Sequence, residues 1–127
     1  MSELRDKFPP MPPCRGVWLP IYIEPIMGSG ERITIIIAAV TKVEGKAIRA
    51  ISNDTAVQLY GNKTLSNQIE LILVSVQEFL KENQNIEAWK PPLSGVFIGR
   101  LRDAASNDID GIINQGLSMS ASLYSKS

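Results

Sequence analysis

Arg32-Ile-Thr-Ile-Ile-Ile-Ala-Ala-Val-Thr-Lys42 is the stretch on which the fold turns. Its apolar run, 33–40, is rich in β-branched Ile and far shorter than the roughly 20 residues a membrane helix needs. It therefore reads as a strand. Because apolar residues follow one another without polar alternation, the strand is expected to be central and covered on both faces.

Outward from this strand, each flank adds a β element. On the N-terminal side, Val17-Trp-Leu-Pro-Ile-Tyr-Ile-Glu24 is β-prone, and Pro20 within it points to an edge position or a bulge. A connection with two glycines, 25–31, joins the two strands. On the C-terminal side, Val43-Glu-Gly-Lys46 makes a tight turn into a strand over 47–52, completing a three-stranded meander. Asn53-Asp54 suits the start of a short helix over 55–60, ended by Gly61-Asn62. From Thr64, the residues Leu65, Ile69, Ile72, Leu73, Val76, Phe79 and Leu80 recur at intervals of three and four, which predicts a helix over 64–82. Trp89-Lys-Pro-Pro92 stops it. A fourth strand is expected over 95–102, with alternation placing Arg100 and Arg102 on one face. Asn107, Asp108 and Asp110 mark a last helix start, with Ile109, Ile112, Ile113 and Leu117 as its buried stripe. The serine-rich tail 118–127 is expected to fray.

The order β-β-β-α-α-β-α implies an α+β domain: a small, largely antiparallel sheet, a meander plus one later strand, with two or three helices packed on one face. Residues 1–16, carrying Pro9, Pro10, Pro12 and Pro13, read as a Pro-rich N-terminal arm, and 17–127 as the single domain.

Composition limits the chemistry. The chain has 127 residues, 13 Lys and Arg against 13 Asp and Glu, one Cys and no His. Within this chain, that rules out Ser-His-Asp and Cys-His machinery, His-ligated metals, thiolate zinc sites and internal disulfides. Zero formal charge argues against a domain that works by phosphate neutralisation, so nucleic acid is not the expected partner. The balance is uneven along the chain: 32–63 is mildly basic and 64–88 acidic. The charged N-terminus has no apolar secretory core, and the reading is of a cytoplasmic protein with no membrane span.

Three constellations hold the candidate functional residues. Glu24, Glu31 and Arg32 flank the glycine-bearing connection and form a carboxylate and guanidinium set suited to acid/base work or substrate gripping. Arg100, Arg102 and Asp103 form a second set, able to receive a phosphate or carboxylate in fork geometry. Arg32 joins them only if the fourth strand pairs with the meander. Partner contact is assigned to Pro9, Pro10, Pro12, Pro13 and Trp18, with a strand edge near Pro20. Asp108 and Asp110 are explained by helix capping, so no metal and no cofactor are expected.

Glu24-Pro25, Gly30-Glu31-Arg32, the 33–40 strand and the closing Gly116-Leu117 with Ser122-Leu123 carry a resemblance to small bacterial proteins of unassigned function. Those proteins are encoded in defence or toxin-antitoxin neighbourhoods, often beside larger catalytic partners. The resemblance implies an accessory role and supplies no catalytic residue. The reading is therefore a non-catalytic binding or accessory subunit acting by protein contact or self-association. Its alternative is a small carboxylate- and arginine-dependent enzyme acting on an anionic substrate.

Overall fold

The computed structural model describes residues 14–24, 32–51 and 64–125. Five strands and two α-helices follow in the order β1 (Cys14–Ile23), β2 (Ile33–Thr41), β3 (Gly45–Arg49), α1 (Thr64–Glu82), a 3-10 turn (Ile86–Ala88), β4 (Val96–Ile98), β5 (Arg102–Ser106) and α2 (Ile109–Ser125). The fold is α+β and every strand pair is antiparallel. β3, β2 and β1 form the expected meander, and β4 and β5 both pair with the far side of β1. The helix expected over 55–60 lies outside the described residues.

β2 is buried along almost its whole length, as an unbroken run of Ile and Ala requires, and the helices explain how. α1 sets Ile69, Ile72, Leu73, Val76 and Leu80 against Leu19, Ile21, Ile36, Ala38, Val40 and Ala47 on one face. α2 sets Ile109, Ile112 and Ile113 against Trp18, Ile37 and Ala39 on the other. The expectation of helices on one face is thus corrected: each face of the sheet has its own helix. Burying an Ile or Leu side chain stabilises by roughly 1.5–3 kcal/mol, and β2 offers apolar side chains to both sides, so a one-sided arrangement would leave Ile37 and Ala39 in water.

The alternation slips once. Between Ile21 and Tyr22 the β1–β2 register shifts, which leaves Ile35 as the extra residue on β2. Ile35 and Ile36 accordingly both join the α1-side core, the local effect of a bulge. This bulge is not at Pro20, which pairs in register with Ile37, and its extra residue lies on the neighbouring strand. The edge expected for Pro20 is not found either, because β1 is hydrogen-bonded on both sides.

Pro20 is tolerated centrally for a definable reason. Its carbonyl accepts from the Gly99 amide at 2.7 Å, so its nitrogen, which has no proton, also faces the β4–β5 side. There the ladder is broken. Three residues, 99–101, face two residues of β1, because β4 pairs Ile98 with Ile21 and β5 pairs Arg102 with Trp18. The single strand expected over 95–102 is thus two short strands separated at the proline. A Cβ on Gly99 would lie 2.6 Å from the Pro20 ring, so this crossing needs a glycine.

Local signals for the ends also hold. Asp108 Oδ1 accepts from the Gly111 amide at 2.8 Å and caps α2. Asn83 Nδ2 donates to the Phe79 carbonyl at 3.2 Å as α1 ends. β1 begins at Cys14, so the last three residues of the stretch read as the arm belong to the sheet. α2 runs to Ser125, well into the tail expected to fray.

Candidate functional site

The sheet brings Arg32, Arg100 and Arg102 to its β1–β4–β5 side. Arg32 precedes β2, yet its guanidinium lies 4.1 Å from the centroid of the Phe97 ring on β4. Phe97 pairs with Tyr22 across β1, so the side chain reaches over β1 to arrive there. The condition set for Arg32 to join the later strand is met. Arg102, on β5 opposite Trp18, holds its guanidinium 5.8 Å from the Trp18 ring centroid. Arg100 is exposed within the break between the strands. That break interrupts the alternation that was to align Arg100 with Arg102, so their common face does not follow from the pleat.

None of the ion pairs among the described residues uses these arginines or Asp103. Asp103 is exposed on β5 opposite Val17. A cation over an aromatic face gains roughly 0.5–1 kcal/mol at an exposed site. Contacts of this kind hold the Arg32 and Arg102 head groups in place while leaving their charge unpaired with any carboxylate among the described residues.

The other candidates divide. Glu24 is half-buried just beyond β1, its amide donating to the Gly95 carbonyl at 2.8 Å. Glu31, Pro9, Pro10, Pro12 and Pro13 lie outside the described residues. Trp18, assigned to partner contact, is 3% exposed and sits in the α2-side core, a packing position, with the Arg102 guanidinium over its ring. Cys14, read as part of an exposed arm, is half-buried against the same core.

The remaining charged clusters are structural. Arg49 donates to Glu70 Oε2 at 2.9 Å and to the Ile51 carbonyl at 3.2 Å, tying β3 to α1. Lys46 pairs with Asp110 and ties β3 to the start of α2. The Asp110 carboxylate, by hydrogen bond and charge, raises the Lys46 pKa above its ordinary 10.5. Glu78 raises that of Lys81 in the same way. Asp108 is a helix cap and Asp110 an ion-pair partner, and no group of three potential metal-ligating residues gathers among the described residues.

One functional feature escaped the sequence. Gln77 of α1 donates its side-chain amide to the Ala47 carbonyl on β3 at 3.1 Å, and Gln115 of α2 donates to the Ala105 carbonyl on β5 at 2.7 Å. Both are polar residues on outward faces of helices, and only the packing shows that they reach strand edges.

The chain matches no family model, no curated protein and no solved structure. No helix among the described residues is long and apolar enough to cross a membrane.

Proposed function

We propose that this chain is a non-catalytic binding or accessory subunit that acts through protein contact in a bacterial cytoplasmic assembly. The supporting observation is the set of three arginines at the β4–β5 side, exposed and, among the described residues, in no ion pair, two of them lying over rings. Charged groups held in place before binding lose less freedom when a partner arrives, and arginines are enriched where partners contact one another. The alternative enzyme requires Glu31, which lies outside the described residues, and no observation favours it.

The experiment is affinity purification of the tagged chain from its own host, beside the Arg32→Glu/Arg100→Glu/Arg102→Glu variant, with stoichiometry read by native mass. The product of a neighbouring gene is the first partner to test directly, as the resemblance implies. A defined partner should be retained by the parent chain and lost by the variant. Equal retention by both, or a strictly monomeric chain with no stoichiometric partner, overturns the reading.

A further inference from the structure

The ladder shows which backbone groups face outward. Since Glu24 donates to Gly95 and Gly99 donates to Pro20, residues 95, 97 and 99 turn their amides and carbonyls toward β1. Val96 and Ile98 therefore present theirs to the outside. By the same alternation the outward residues of β3 are 45, 47 and 49, because Ala50 donates inward to Ile35. On β5 the outward residues are 103 and 105, because the bonded partners of β1 on that side are its even-numbered residues.

These edges are not treated alike. On β3 the Ala47 carbonyl is occupied by Gln77, and the neighbouring Ile51 carbonyl by Arg49. On β5 the Ala105 carbonyl is occupied by Gln115. Covering an edge with a helix is one way in which proteins prevent unwanted strand pairing, and both glutamines reach their carbonyls from helices. Among the described residues, nothing pairs with the outward groups of Val96 and Ile98.

Resting on the binding role proposed above, we infer that β4 is the docking edge and that its occupant is an extended acidic polypeptide segment, added to the sheet as a further strand. Alternating donors and acceptors at Val96 and Ile98 match a polypeptide backbone. Arg32, Arg100 and Arg102 beside this edge select Asp and Glu side chains. A second copy is the poorer occupant, because pairing two such edges brings like charges together across the join. A nucleic acid would satisfy the arginines but not the backbone alternation.

The test selects peptides from a random displayed library against the full chain, then follows backbone amide exchange by NMR with the selected peptide bound. Acidic peptides are expected, with Val96 and Ile98 amides that exchange freely in the unbound chain and become protected on binding. Arg100→Glu/Arg102→Glu should weaken binding roughly ten- to a hundredfold, and Ile98→Pro, which deletes an outward donor, should abolish it. The arginine variant keeps the question answerable if the proline variant fails to fold. The inference is overturned by neutral or basic selected peptides, by selection of none, or by binding without protection at Val96 and Ile98. It is equally overturned by inorganic polyphosphate binding in place of peptide, or by a dimer that protects the same amides. If a host partner is retained while these amides still exchange freely, strand addition fails and the binding role stands.

Discussion

On the α1 face of the sheet, the helix meets the strands through bulk: Ile, Leu and Val side chains from both layers, with Trp89 donating its indole N–H to Ser75 at 3.2 Å at the margin. On the α2 face, the helix comes close because side chains are missing. A Cβ on Gly116 would stand 2.8 Å from Ile37 and 2.9 Å from Trp18, and one on Gly16 would stand 3.2 Å from Ile112 of α2. Both faces exclude water from β2. They are sensitive to opposite kinds of change, the first to loss of volume and the second to its addition.

The largest expected effect breaks the α1 side. Ile72→Ala, at a fully buried position, should cost about 2–5 kcal/mol in a chemical denaturation curve. A substitution at Gly116 reverses the sign of the volume change. Gly116→Val should cost about 1–3 kcal/mol, since Ile37 and Trp18 are held by both neighbours and cannot withdraw together. Were Gly116→Val neutral, the close approach on the α2 face would not be what fixes that helix.

How much of this was legible in advance follows from where each constraint acts. The spans of β2 and α1 were readable because apolar run and apolar stripe are properties of consecutive residues. The cap at Asp108 was readable for the same reason. The face taken by each helix was not, since α1 and α2 carry similar stripes and periodicity records only that a helix has a buried side. For the site, Arg100, Arg102 and Arg32 were visible as residue types, but the rings under the Arg32 and Arg102 head groups belong to other strands. For Trp18 the sequence leaves both partner contact and core packing open, and only the cover of α2 decides for the core.

Smaller effects sharpen the contrast at the strand edges. Gln77→Ala and Gln115→Ala should each cost about 0.5–1.5 kcal/mol, read from thermal unfolding, and should raise the tendency to self-associate at high protein concentration. An equal change from substituting Gln68, which is exposed on α1, would show that the edge carbonyls are not the cause. The smallest effect belongs to Lys46 and Asp110, both exposed. Because the Lys46 pKa is raised in the folded chain, what the pair contributes is complete at neutral pH and is lost as pH rises through that raised value, above 10.5. Lys46→Met should abolish that part of the alkaline change and leave stability near pH 7 almost unaltered, as expected of an exposed pair.

Sequence alone determined the spans of β2 and α1, that the central strand needs cover on both faces, and that imidazole chemistry is absent. Those conclusions depend on residue type and on neighbours a few positions away. Tertiary structure decided that the helices take opposite faces, that Pro20 splits one strand into β4 and β5, and that glutamines occupy one carbonyl on each of two edges while nothing among the described residues pairs with a third, beside three arginines. Each of these depends on a proton, a Cβ or a carbonyl meeting a group far along the chain, and no local pattern records that meeting.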